Sequence, residues 1–295
     1  MHIKKLESPQ NPLIKELALL RAKSKVRRER GLFIVEGLRE LSRAIASGYV
    51  MESVLYRPEL IDQDEVSALL SRAAESRAAE SRAIESRAGA ESSVMIGYQH
   101  LHCSAKAFAK VAYRVDVPNL IGVMRAQRYT TLSVLEERSA NQSPLLLILE
   151  GIEKPGNLGA ILRSADAFGV DGVILVDCPA EVEHPNSLRN SLGAALSLEV
   201  ITLGLEATCD LLQRADIPLY VTHLNERSIE PRALPLNKPC AIVLGAESTG
   251  ASRRWFERGA QATLIPMPGA RVVDSLNVSV AAAVMLYEVS RQRRI

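Results

Sequence analysis

IPMPGARVVDSLNVSVAAAVMLYE, residues 265–288, is the stretch on which the reading of this chain turns. It opens on a proline-broken loop, Pro266-Met267-Pro268-Gly269. It then runs into a segment that is apolar at Val278, Val280, Ala281, Ala282, Ala283, Val284, Met285 and Leu286. A helix without a polar side belongs in an interior, so burial all round is expected. Ser275 and Asn277 stand at its start, where such side chains accept hydrogen bonds from unpaired backbone N–H groups. Read alone, the string is a capped core helix after a turn. Two more polar turns, each directly after an apolar run, give it a second reading as one wall of a site.

Upstream, Leu145-Leu146-Leu147-Ile148-Leu149 is a continuous apolar run, the pattern of a parallel strand covered on both faces. Further strands are expected at 172–176, 198–202, 219–222, 241–244 and 262–265, with helices at 158–168, 188–196, 206–214 and 252–257. That alternation is a doubly wound α/β domain, in which ligands bind beyond the carboxyl ends of the strands. The first polar turn, Glu150 to Asn157, follows the first strand and opens a helix carrying Arg163. The plain role of Asn157 is a helix N-cap, and that of Arg163 an ion pair with Asp166 or another acid. The second turn, Leu244-Gly245-Ala246-Glu247-Ser248-Thr249-Gly250, imitates a phosphate-binding loop, but Ala251 stands where such a loop requires lysine. The dinucleotide glycine fingerprint is absent as well. Among the polar residues that the three turns and their helices supply are Arg163, Glu247, Ser275, Asn157 and Asn277. They hold no Ser/His or Cys/His pair and no metal-ligand cluster. Such a set positions a cofactor and an oxygen nucleophile without a covalent enzyme intermediate. The residues alone do not say which cofactor.

The N-terminal half reads as a separate α/β region. After the turn-rich Ser8-Pro9-Gln10-Asn11-Pro12 comes a helical pattern with Leu13, Ile14, Leu17, Leu19 and Leu20. The stretch 21–30 then carries Arg21, Lys23, Lys25, Arg27, Arg28 and Arg30 against one acid. A solvated helix face and a contact for a phosphate backbone both stay open. A strand at 33–35, a helix from 38 to about 47, a strand at 54–56, a helix near 104–112 and a strand at 120–124 complete the region. Between them lies an insertion at 62–92, in which a five-residue Ser-Arg-Ala-Ala-Glu unit repeats from Ser71 to Ala88. A five-residue unit advances about 140° around a helix and builds no apolar stripe. This insertion is expected to be solvent-exposed, with weak Arg72/Glu75, Arg77/Glu80 and Arg82/Glu85 pairs, and with order resuming at Val94. The expected division is 1–125, a polar linker at 126–143, and 144–295.

Bulk composition narrows the class. The chain has 295 residues, 47% of them hydrophobic, which favours two domains of ordinary globular character. A net charge of +2 leaves any nucleic-acid affinity to local patches. No apolar run approaches a membrane span, and the first residues lack the apolar core of a secretion signal. Cys103, Cys178, Cys209 and Cys240 are scattered, which fits a reducing cytoplasm and neither disulfides nor zinc. His100 and His102 lack a further ligand nearby and are expected at the surface.

Three segments carry a specific resemblance: NLGAILRSADAFGV (157–170), LGAESTG (244–250), and IPMPG with SLNVSVAAAVMLYE between 265 and 288. In order and spacing they resemble the three motifs of the SpoU/TrmH class of SPOUT RNA methyltransferases. His184-Pro185-Asn186-Ser187-Leu188-Arg189-Asn190-Ser191-Leu192-Gly193-Ala194 is similar to a segment between the family's first and second motifs. The N-terminal SPQNPLIKEL and FIVEG resemble its L30e-like RNA-binding domain.

The resemblance implies a parallel-sheet C-terminal domain tied in a deep trefoil knot, preceded by a smaller L30e-like α/β domain. It implies a homodimer through the C-terminal domain, S-adenosyl-L-methionine as methyl donor, and methylation of a ribose 2′-hydroxyl in structured RNA, rRNA ahead of tRNA. A non-catalytic RNA-binding protein of the same fold is the alternative. By motif position, Leu244, Gly245, Ile265, Met267 and Leu276 would hold the cofactor. Asn157, Arg163, Glu247, Ser275 and Asn277 would form the catalytic set, with Arg163 at its centre. Arg21, Lys23, Lys25, Arg27 and Arg28 would contact RNA. No metal and no membrane is implied.

Overall fold

The computed structural model describes residues 3–87, 99–113, 120–127, 129, 131–136, 143–269, 272 and 274–293. The chain divides into two compact units, Met1–Gln127 with Glu183–Leu188, and Arg128–Val182 with Arg189–Ile295. In the first lie β1 (Ile3–Leu6), α1 (Pro12–Ala22), α2 (Ser24–Arg30), β2 (Leu32–Glu36), α3 (Leu38–Ala46) and β3 (Met51–Tyr56). They are followed by α4 (Gln63–Arg87), β4 (Gln99–Cys103), α5 (Ala105–Val111) and β5 (Leu120–Arg125). The sheet is mixed, in the order β1-β4-β3-β5-β2, with β5 antiparallel to both its neighbours and the other pairs parallel.

Leucines of α1 and the apolar side of α5 pack over one sheet core, where Ile14, Leu17 and Leu20 meet Ile34, Leu101, Phe108 and Ile121. Asn11 and Ser104 cap these helices by accepting backbone N–H groups at 3.0 and 3.3 Å. α3 approaches β5 so closely that a Cβ on Gly122 would lie 2.3 Å from Leu41 Cδ2.

Two strands, β1 and β4, go beyond the sequence expectation. β1 is four residues with two lysines, too short and polar to signal a strand. β4 alternates Gln, His, Leu, His and Cys, and lies between β1 and β3, which buries His100 rather than leaving it at the surface. The repeat also differs from expectation. α4 begins by burying Val66, Leu69 and Ala73 beside α3. Arg72 donates to Ser42 and to the Ala68 carbonyl, and Arg77 pairs with Glu52 at 3.5 Å with both side chains nearly covered. The early repeat is therefore anchored by side chains outside it, not by the Arg72/Glu75 pairing its spacing suggested. The expected return of order at Val94 lies outside the described residues.

The remaining elements are α6 (Ser133–Glu136), β6 (Leu145–Glu150), α7 (Pro155–Ala167), β7 (Gly172–Val176), α8 (Pro185–Ser191), β8 (Val200–Thr202) and α9 (Leu205–Arg214). After them come β9 (Leu219–Thr222), β10 (Cys240–Leu244), α10 (Arg254–Glu257), β11 (Gln261–Thr263) and α11 (Val278–Arg293). The second unit's six strands run parallel in the order β11-β9-β10-β6-β7-β8. Every residue of β7 and β10, and all but the last of β6, is buried, because helices cover both faces. One face packs Leu146, Ile148, Ile174 and Val243 against Leu205, Leu212 and Trp255. On the other, α7 packs against α11. Leu132, from the segment read as a polar linker, is buried in this core and fills the space above Gly172.

α11 corrects the expectation of burial all round. Val278, Ala282, Met285, Leu286 and Val289 are buried, whereas Val280, Val284 and Tyr287 are 47%, 40% and 60% exposed. The helix is apolar on both sides but covered on one.

Candidate active site

Strand order reverses at the junction of β6 and β10. From β6 the chain winds outward through β7 and β8, then resumes beyond β6 with β9 and β10. Loops diverging from such a switch point leave a crevice at the carboxyl ends, where α/β domains bind ligands. The loop after β6 and the loop after β10 are the first two polar turns of the sequence.

These loops are laced together. Gly151, at φ 67°, lets the first loop pass so near the second that an added Cβ would lie 3.2 Å from Ala246 Cβ. Asn157 donates its side-chain amide to Glu247, and its carbonyl oxygen accepts from Asn277 at 3.4 Å. Asn277 also caps α11, accepting from the Ser279 backbone N–H at 2.9 Å and from its hydroxyl at 2.6 Å. One residue from each turn thus joins a single chain, Glu247–Asn157–Asn277. The capping role expected of Asn157 is corrected. α7 starts one turn earlier, with Lys154 at the N-cap and Pro155 in the first turn. Proline's fixed φ suits that position, and it frees the Asn157 side chain for the crevice.

Glu150 and Trp255 were not singled out from sequence. A single Glu150 oxygen, Oε2, accepts from the Ser252 backbone N–H and from the Trp255 indole N–H, both at 2.8 Å. The available signal was a lone acid capping a wholly apolar strand, together with the chain's one tryptophan.

The second loop is tight. Gly250 takes a left-handed φ of 69° and donates to Ala246 O at 2.9 Å. A Cβ on Gly245 would lie 2.1 Å from Ala251 N. Leu244 is buried, which leaves only its backbone for a ligand, while Ile265, Met267 and Leu276 are half-buried in the segment leading to α11.

Arg163 lies in the middle of α7, exposed, six residues beyond Asn157 and about 240° around the helix. It makes no hydrogen bond or ion pair among the described residues, so the expected partnership with Asp166 is absent there. The fold brings together Asn157, Glu247 and Asn277. It leaves Arg163 and the exposed Ser275 outside their hydrogen-bond chain. Cys178 sits beside the first loop, its thiol donating to Leu149 O at 3.1 Å. Burial pushes that thiol up from its ordinary range, which disfavours a thiolate nucleophile. Two grooves lie on the second unit. One, of about 560 Å³, is lined by Asp177, Cys178 and Thr202; the other, of about 690 Å³, by His223, Arg227 and Phe256. Neither is lined by a residue assigned to the cofactor.

In the first unit the basic stretch divides. Lys23, Lys25 and Arg28 are exposed. Arg27 departs from its expected role as a phosphate contact: it is 5% exposed, and its guanidinium donates to Leu20 O at 3.2 Å and Arg21 O at 3.0 Å. It thereby satisfies carbonyls at the C-terminal end of α1. Arg21 donates to Ala112 O at 2.6 Å. His102 meets the Tyr56 hydroxyl at 2.8 Å, and burial lowers the pKa of both His100 and His102. Among the described residues no group of three His, Cys, Asp or Glu side chains could hold a metal ion.

The model of the SpoU rRNA Methylase family matches residues 144–287, and that of the MRM3-like substrate binding domain matches residues 11–122. The chain is 39% identical over 178 residues to the 23S rRNA (guanosine-2′-O-)-methyltransferase RlmB of Xylella fastidiosa, covering 58% of this chain and 70% of that relative. It is 26% identical over 285 residues to the 23S rRNA (guanosine(2553)-2′-O)-methyltransferase RlmP of Bacillus subtilis, covering 97% and 98%. A crystal structure of an RNA 2′-O ribose methyltransferase superimposes with a TM-score of 0.72 at 30% identity, covering 99% of this chain and 100% of that one. The AdoMet-bound rRNA methyltransferase of Sinorhizobium meliloti gives a TM-score of 0.80 at 23% identity, with 98% of both chains covered.

Proposed function

Because the chain belongs to the SpoU rRNA methylase family, we propose that its crevice performs ribose 2′-O-methylation of rRNA with S-adenosyl-L-methionine. The observation that carries the reading is the meeting of Asn157, Glu247 and Asn277, distant in sequence, at the β6/β10 switch point. The residues present fit the cofactor. A glycine loop compressed against its own backbone exposes peptide groups to a flat ligand, and half-buried Ile265, Met267 and Leu276 offer an apolar lining.

When bound, the cofactor supplies an electrophilic methyl on a sulfonium. The chain's own task is to orient a ribose hydroxyl, exclude water and steady the charge that develops on the oxygen. Arg163 suits the last task, since a guanidinium stays protonated and this one is not committed to an acid among the described residues. Asn157 holds the loops in register from the middle of the hydrogen-bond chain, donating to Glu247 and accepting from Asn277. Ser275, exposed two residues before Asn277, is assigned to the substrate side.

Three finer features belong to the same reading. A trefoil knot is supported by the chain path: β11 lies at the far edge of the sheet, yet α11 returns to pack on α7. A homodimer is supported by the exposed stripe of Val280, Val284 and Tyr287, spaced on one face of α11. An L30e-like role for the first unit, binding RNA, is supported by exposed Lys23, Lys25 and Arg28. The cytoplasm is the proposed compartment; Cys103, Cys178, Cys209 and Cys240 are all free thiols. The test is transfer of labelled methyl groups from S-adenosyl-L-methionine to unmodified rRNA, followed by mapping of 2′-O-methyl positions. Absence of transfer to any ribose would refute the reading.

A further inference from the structure

We infer that Glu150 is a positioning residue for the cofactor loop, tying the end of β6 to the loop after β10. This rests on the assignment of that loop to S-adenosyl-L-methionine. Glu150 is the last residue of the central strand β6, and its Oε2 accepts from both Ser252 N–H and Trp255 Nε1–H at 2.8 Å. The two donors bracket the descent of the chain from the glycine loop into α10. Ser252 directly follows Ala251, the residue against which Gly245 is compressed. Trp255 is fully buried in the core beneath the sheet.

The brace therefore runs from a buried indole, through one carboxylate oxygen, to the backbone of the loop. Without it the stretch 245–252 is left with its internal Gly250 N–H to Ala246 O bond, the Glu247 contact to Asn157, and the bonds Ser252 accepts from the Arg254 and Trp255 N–H groups at the start of α10. Glu150 need not touch the cofactor. Its effect is to hold peptide groups in one arrangement, so its loss is read in cofactor affinity before it is read in turnover.

The geometry distinguishes position from charge. Glu150→Gln keeps an acceptor oxygen at the same reach and removes the charge. Glu150→Asp keeps the charge and withdraws the oxygen by one methylene, about 1.5 Å. The 295-residue chain carries a single tryptophan, Trp255; its emission reports the indole bond directly. The experiment is a fluorescence and calorimetric titration of wild type, E150Q, E150D and E150A with S-adenosyl-L-methionine, alongside KM and kcat on rRNA. Expected are wild-type-like affinity in E150Q, a loss of about tenfold in E150D and E150A, a shifted Trp255 emission only in the latter two, and kcat changed less than KM. Should E150A fail to fold, the order of E150Q over E150D decides alone. E150D binding as well as wild type, or E150Q as weakly as E150D, overturns the inference and leaves the methyltransferase reading standing. Failure of the wild-type chain to bind the cofactor overturns both.

Discussion

Replacing Gly245 with alanine strikes the compressed loop directly. The added Cβ would lie 2.1 Å from Ala251 N, 2.2 Å from Gly250 C and 2.5 Å from Ala251 Cα. All three are backbone atoms, so no side chain can swing aside. Ordinary contact begins at 3.4 Å, and the 250–251 backbone must retreat by about 1.3 Å. Such a retreat strains the Gly250 N–H bond to Ala246 O and draws Ser252 N–H from Glu150. Overpacking costs about 1–3 kcal/mol and each weakened hydrogen bond about 1 kcal/mol. The sum, about 3–5 kcal/mol, corresponds to a rise of about 100-fold or more in the Kd for S-adenosyl-L-methionine. Calorimetric titration measures it, with thermal unfolding as the check that the variant is folded. Gly250→Ala is the matched control. It meets nothing within 4 Å and suffers only its left-handed φ of 69°, a strain of about 1–2 kcal/mol. Binding by G245A within threefold of wild type would refute the claim that this backbone geometry makes the cofactor site.

Further outcomes are expected at the catalytic arginine, the basic stretch, the buried histidines and the α11 stripe. Arg163→Ala should lower kcat on rRNA by about 100-fold or more with little change in cofactor Kd, and Arg163→Lys should recover part of it if charge stabilisation is the role; equal loss in both would point to guanidinium geometry instead. Reversing Lys25 and Arg28 to Glu should weaken RNA binding and flatten its salt dependence by about 0.9 per lost phosphate contact. Arg27→Met should instead cost about 2 kcal/mol of stability, because its guanidinium serves buried carbonyls, and a salt slope that changes only in the Arg27 variant would reverse this assignment. Burial holds His100 and His102 below the ordinary value of 6.5. The unfolded chain then binds protons first as pH falls, so the first unit loses stability below about pH 6.5 and loses nothing further once the folded pKa is passed. Urea unfolding at pH 7.5 and 5.5 should show this loss in wild type and a smaller one in His100→Leu. Val284→Asp should dissociate the proposed dimer to monomer in sedimentation, and an unchanged mass would remove the α11 stripe from the interface.

Local pattern made the second unit readable. The runs at 145–149, 172–176 and 240–244 have the uninterrupted apolar character that only a strand buried on both faces tolerates. Glycine and asparagine mark the turns that hold Asn157, Gly245, Glu247 and Asn277. Strand β4 escaped, because alternating histidines resemble a solvated strand until neighbours on both sides enclose them. Arg27 escaped for a like reason. A cation in a basic run looks solvated, and only the proximity of α1's terminal carbonyls turns it inward.

Legible in the residues alone were the strands of the second unit, the parallel character of their sheet and the residue types at its carboxyl ends. These follow from periodicity and backbone preference, which act over a few residues. Tertiary structure alone decided that Asn157 meets Glu247 across 90 residues and Asn277 across 120, and that Glu150 reaches Trp255 across 105. It also decided which side of the apolar helix α11 stays uncovered. Those pairings arise from strand order and helix packing, and no local pattern in the chain encodes which distant loop will lie beside which.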